Sequence, residues 1–175
     1  MSGHNKWSQI KNQKGAADKK RGLLFSKVLK AIAIAAKTEA NPQFNPRLRS
    51  AIETAKAANV PLDNIERAIS KASEEKELED VVIEAYGPEG VALIIEGITD
   101  NTNRTISEIK HLLIEHNAKI ANPGSVLWSF EKINSEWKAK FPQIVSETAK
   151  QQIAALVEAL DGHGDVQQIA TNTAA

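Results

Sequence analysis

The chain has 175 residues, 42% of them hydrophobic and 5% aromatic, with 22 Lys or Arg against 22 Asp or Glu and no cysteine. That length buries one core or two small ones, and the missing cysteine excludes a disulfide scaffold, a thiolate metal site and a cysteine nucleophile. No apolar run nears the roughly 18 residues that span a bilayer, and no signal-type apolar stretch follows the basic N-terminus, so the expectation is a cytoplasmic protein without a membrane partner.

The neutral total hides a polarised chain. Met1 to Lys71 hold 14 basic and 5 acidic residues, a net of +9, whereas Ala72 to Ala175 hold 8 and 17, a net of −9. The first 37 residues carry nine Lys or Arg and one acid, Asp18. A local excess of this kind marks a surface for polyanions, of which phosphate backbones are the commonest.

In chain order, residues 1 to about 15 lack hydrophobic periodicity and contain Gly3 and Gly15, which predicts an extended basic arm. From Ala16 a helix is expected, with Leu24, Phe25, Val28, Leu29, Ile32 and Ala36 inward and Lys19, Lys20, Lys27, Lys30 and Lys37 opposite. Asn41-Pro42 stops it. Asn45-Pro46 starts a second helix with Leu48, Ala51, Ile52 and Ala55 inward. Pro61 opens a third, burying Leu62, Ile65, Ala68, Ile69 and Ala72. Three amphipathic helices on short connections make a small bundle. The acidic run Ser73 to Asp80 is the expected boundary, giving a basic arm and helical domain over 1–73 and a second domain over 80–175.

Past the boundary the period changes. Val81 to Ala85 and Val91 to Ile95 read as strands joined by the turn Gly87-Pro88-Glu89-Gly90. Thr99 to Thr105 lead into a helix with Ile106, Ile109, Leu113 and His116 on one face. Ser125 to Phe130 reads as a strand, Ser146 caps a helix burying Ile153, Leu156, Val157 and Leu160, and Asp165 to Ile169 returns as a strand. The fold class is α+β, a mostly antiparallel sheet with two helices on one face.

The candidate nucleic-acid-binding residues are Lys6, Lys11, Lys14, Lys19, Lys20, Arg21, Lys27 and Lys30, with Trp7 placed to stack on an unpaired base. Arg47 and Arg49 sit in the first turns of the second helix, where a cation opposes the macrodipole, so they join the set or form an internal ion pair. Asp100, Asn101, Asn103 and Arg104 combine helix capping with a polar cluster at a sheet edge, and Asn101, Asn103 and Arg104 are secondary contacts. Catalytic patterns are poor. His111 and His116 are five apart, off the spacing of a helical zinc pair, and the chain has no phosphate-cradling glycine loop and no nucleophile elbow. The expectation is a non-enzyme without metal, cofactor or small-molecule substrate.

Four blocks carry a resemblance: MSGHNKW with IKNQKGAADKKRG, NPRLRSAIETAKAANVPLDNIERAI, EAYGPEGVALIIEGITDNTNRTISEI, and GSVLWSFEK. With ETAKQQIAALVEALDGHGDVQQIATN as a closing helix and strand, they make the chain resemble the YebC/PmpR family, which includes the mitochondrial translational activator of cytochrome c oxidase subunit I. The resemblance implies a helical domain and an α+β domain, with a third domain inserted into the second. Here 13 residues, 133–145, separate Lys132 from Ser146, a short remnant of that insertion. Asn12-Gln13 also stand where the family's arm tends to be more basic.

The family's bacterial members are described as probable transcriptional regulators that bind DNA. Its mitochondrial member, and a newer view of the bacterial ones, imply a ribosome-bound factor that helps synthesis through difficult sequences such as proline runs. No helix presents the polar base-reading side chains of a recognition helix. A basic arm beside an acidic domain suits a ribosome, which offers RNA and basic proteins together. The favoured partner is therefore the ribosome and its RNA. Duplex DNA is the alternative, and a protein-interaction module is a second one.

Overall fold

One 36-residue helix, α1 (Gly3–Thr38), opens the computed structural model, which describes residues 3–72 and 78–174, with side chains from Gly15 onward. The expected extended arm is therefore corrected: the chain is helical from Gly3. Extending an existing helix costs far less than nucleating one, and a helical glycine costs only about 1 kcal/mol, so Gly15 does not break it. Contacts between Cα atoms divide the chain into two compact units, Met1–Glu75 and Lys76–Ala175.

In the first unit α1 is followed by α2 (Pro46–Ala57) and α3 (Leu62–Lys71). Their shared core is built from Val28, Ile32, Ala35 and Ala36 of α1, Leu48 and Ala55 of α2, Val60, and Ile65 of α3. Asn45 organises the connection between α1 and α2. Its Oδ1 accepts from the Leu48 amide at 2.9 Å, which caps α2, and its Nδ2 donates to the carbonyls of Ala35 at 2.8 Å and Glu39 at 2.7 Å. One buried side chain thus closes two helix ends. Two positions differ from the periodicity. Leu24 and Leu62 are exposed, because each lies at the rim of its helix's apolar stripe. Lys27, expected on the solvent face, is buried at 7% exposure, since α1 is covered on more than one side between Lys27 and Ala36.

The second unit centres on a four-stranded antiparallel sheet of order β3-β1-β2-β6, formed by β1 (Glu79–Tyr86), β2 (Ala92–Thr99), β3 (Lys119–Ile120) and β6 (Val166–Thr171). The Gly87–Gly90 turn joins β1 to β2 as expected, with Glu89 and Gly90 at φ 55° and 77°. Alternate residues Ile83, Ala85, Leu93 and Ile95 pack against Ile109 and Leu113 of α4 (Thr102–Glu115) and Ile153, Leu156 and Leu160 of α5 (Glu147–Asp161). The α+β class with two helices on one sheet face is what the structure shows.

The opposite face holds what the pattern missed. Ala92, Ile94 and Ala170 pack there against Val126 and Phe130, with Trp137 and Ala139 beside them. These belong to a hairpin of β4 (Phe130–Ile133) and β5 (Glu136–Ala139), turned by Asn134 and Ser135 at φ 50° and 69°. Two successive positive φ values match the twist of a tight hairpin. The strand expected over Ser125–Phe130 is corrected. Leu127–Ser129 form a single 3-10 turn and the strand begins at Phe130.

Candidate nucleic-acid interface

Lys19, Lys20 and Arg21 follow one another on α1 and are exposed. The Arg21 guanidinium carbon lies 5.2 Å from the Phe25 ring centroid, a cation–π contact that steadies it one turn from the ring. The side chains of Lys6, Trp7, Lys11 and Lys14 lie outside the described residues.

Between α1 and α3 runs a groove of about 390 Å³. Ser26, Lys30 and Ala33 line it from α1, and Asn64, Arg67, Ala68 and Lys71 from α3. Spacings of three and four put each set on one stripe of its helix. Ala33 and Ala68 share this lining with the longer Lys30, Arg67 and Lys71. The groove's lining thus combines three cations with Leu29 and the two alanines. Arg67 and Lys71 were not among the sequence candidates. Their signal was the i, i+4 spacing on the third helix, which charge counting over the first 37 residues passes by.

Arg49 turns back, donating from Nη1 to the Pro42 carbonyl at 3.0 Å. Its guanidinium thereby serves the loop that precedes its own helix, which offsets its unfavourable place in the macrodipole. Arg47 is exposed in the first turn of α2.

The secondary cluster forms an internal network. Asn101 caps α4 by accepting from the Arg104 amide at 3.0 Å. Asn103 is exposed in the first turn of that helix. Arg104 Nη2 lies 2.9 Å from Asp100 Oδ1 and 2.9 Å from Asp165 Oδ2, and Thr105 Oγ1 donates to the same Asp165 oxygen at 2.7 Å. The hydrogen bond to Asp165 holds the guanidinium pKa above its ordinary value. Arg104, expected as a secondary contact, thus pairs with two acids of its own chain. His163 Nε2 meets Glu108 Oε2 at 2.8 Å, and Nδ1 accepts the Asp165 amide at 3.2 Å. Donor atoms of Glu108, His163 and Asp165 lie within 4.8 Å of one another, the reach of a metal site. Arg104 already provides the positive charge at Asp165, so the arrangement explains itself as an ion and hydrogen-bond network.

Glu84 is a second buried anion. Burial pushes its pKa up, but amides of Gly124, Leu127 and Val126 donate to its carboxylate and outweigh that, leaving the pKa below the ordinary value. The Val126 and Leu127 contacts are 2.6 and 2.8 Å. This anchors the 122–127 loop to the sheet.

Comparison with known proteins agrees with this architecture. The family description "TACO1/YebC protein N-terminal domain" matches residues 5–75, and "TACO1/YebC second and third domain" matches residues 78–135. A "Probable transcriptional regulatory protein" of Desulfosudis oleivorans is 52% identical over 136 residues, 75% of this chain and 55% of that protein. Its namesake in Trichlorobacter lovleyi is likewise 52% identical over 136 residues. The crystal structure of "a Conserved Hypothetical Protein Aq1575 from Aquifex Aeolicus" superposes with a TM-score of 0.81 at 30% identity, over 88% of this chain and 90% of that one. The chain spans about half the length of the curated relatives it matches. With both family descriptions matched in order and the fold shared with a solved relative, this chain belongs to the TACO1/YebC family.

Proposed function

We propose that this protein is a nucleic-acid-binding regulator of gene expression that acts at the ribosome, contacting RNA through the cationic side of its helical unit. The observation that carries the reading is the α1–α3 groove, lined by Lys30, Arg67 and Lys71 together with Leu29, Ala33 and Ala68. Exposed Lys19, Lys20 and Arg21 extend the positive surface along α1. A groove of about 390 Å³ suits a short stretch of one strand, with the cations on its phosphates. Duplex reading through a major groove asks instead for a helix that projects its polar side chains outward, and the α3 cations line this groove. The names of the relatives favour a second reading, a DNA-binding transcriptional regulator.

Sedimentation with purified ribosomes at roughly 0.15 M salt separates the two. Co-pelleting that excess duplex DNA leaves intact, and that a Lys19/Lys20/Arg21→Ala variant loses, is the expected result. A protein that duplex DNA strips from the ribosome belongs to the second reading. Unchanged affinity of that variant for every nucleic acid would sink the cationic surface as the contact.

A further inference from the structure

The second unit is acidic overall, yet two of its stretches carry lysines and no acid. No Asp or Glu occurs from His116 to Phe130 or from Trp137 to Ser146, and these stretches carry Lys119, Lys138 and Lys140. On them stand Trp128, 64% exposed, and Phe141, 58% exposed. Because the two rings are neighbours, their exposed apolar surface is contiguous, and contiguous apolar surface marks a contact.

The geometry restricts what the contact is. Trp128 Nε1 donates to the Ser125 carbonyl at 2.8 Å, so the indole's polar handle is satisfied and its orientation is set before any partner arrives. What remains to offer is the π face. The Trp128 and Phe141 ring centroids are 5.7 Å apart and inclined at 46°, so each ring braces the other. A planar group sandwiched between two rings needs about 7 Å, twice a van der Waals carbon contact, so a partner stacks on the outside of the pair. Lys140 is tethered to the same spot, its backbone amide donating to the Ser129 carbonyl at 2.9 Å and its Nζ to the Trp128 carbonyl at 3.2 Å. A braced, pre-oriented aromatic face with Lys140 held beside it complements a flat ring that carries a negative charge close by.

We propose that Trp128 and Phe141 form a stacking platform for an unpaired base of single-stranded nucleic acid, with Lys140 at the adjoining phosphate. This rests on the nucleic-acid reading above and deepens it, adding to the cationic groove a second contact that ignores duplexes, whose base faces are already stacked.

The test uses the full chain with Trp7→Phe and Trp137→Phe, leaving Trp128 as the fluorophore, beside the unsubstituted chain as the reference for binding. It is titrated with a labelled single-stranded RNA 12-mer and with a blunt duplex of equal length. Label anisotropy reports binding by any route, and Trp128 emission reports the platform. Expected are quenching of Trp128 by the single strand and not by the duplex, and a single-strand affinity about ten-fold weaker in Trp128→Leu and in Phe141→Leu, with duplex affinity unchanged. The two variants, whose circular dichroism should match the parent, guard against a folding defect in either. RNA that binds by anisotropy while Trp128 emission and both variants stay unmoved overturns the platform and leaves the nucleic-acid reading intact. No binding of either nucleic acid overturns both.

Discussion

The Asn45 amide donates to the Ala35 carbonyl at 2.8 Å and thereby fastens the end of α1 to the start of α2. Because the same side chain also accepts from Leu48, its removal orphans donors and acceptors together. Losing a cap costs about 1 kcal/mol and an unsatisfied buried carbonyl about 1–3. Asn45→Ala should therefore destabilise the helical unit by about 2–4 kcal/mol in urea unfolding. Asn45→Asp should do no better, since it keeps the acceptor and turns a carboxylate toward two carbonyls. An alanine variant within 0.5 kcal/mol of the parent would refute the double role.

Glu84 makes the α+β unit sensitive to acid. Its folded pKa lies below the unfolded value, so between the two the unfolded chain binds more protons and stability rises with pH. That stabilisation is full above the ordinary carboxylate value of 4.5 and is lost as pH falls through the folded pKa. Glu89, whose pKa the Ser146 hydroxyl and amide lower, adds in the same window. Unfolding free energies from pH 7 down to about pH 3 should show the decline, and Glu84→Gln should flatten it more than Glu89→Gln does. At neutral pH, Glu84→Ala leaves amides without an acceptor and should cost about 3 kcal/mol.

Gly97 is required by its neighbour rather than by its own φ. A Cβ there would stand 2.8 Å from the Asp165 carbonyl oxygen and 3.0 Å from Val81 Cγ1. That carbonyl accepts from the Ile98 amide at 2.8 Å, at the point where the β2–β6 register shifts. Gly97→Ala must push β6 away, and a loss of about 1–3 kcal/mol is expected in thermal or urea unfolding. A variant as stable as the parent would show that the strand ends can part freely.

The groove is testable through salt. Each phosphate neutralised on a single strand contributes about 0.7 to the slope of log affinity against log salt. Arg67→Ala/Lys71→Ala should lower the slope for a single-stranded RNA by about 1.4 and weaken binding across sequences alike. An unchanged slope would place the phosphates elsewhere.

Much of this molecule was legible in its sequence because helix stripes and strand alternation are local signals. The caps at Asn45, Asn101 and Ser146, the β1–β2 hairpin and both sheet-facing helices followed from spacing and turn chemistry. The 133–145 stretch did not, because Ile133, Trp137 and Ala139 are too few to set a period, and its turn needs no glycine. The extended arm failed for the opposite reason. Absence of an apolar stripe says that nothing need be buried, and helix propagation does not depend on burial. At the candidate site, charge density points to α1, whereas the grouping of Arg67 and Lys71 with Lys30 follows only once α3 is laid against α1.

The Asn134-Ser135 turn has a consequence for how such proteins change length. It sits at the outer tip of the β4–β5 hairpin, where Ile133 and Glu136 pair on either side, and the match to the family's second and third domains ends at residue 135. Closing a longer excursion between two strands that are already paired costs only about 0.6 kcal/mol per doubling of its length. The hairpin's packing face, Phe130 with Trp137 and Ala139, lies away from that tip. Whole folding units can therefore be gained or shed at this point while the sheet keeps both of its faces covered.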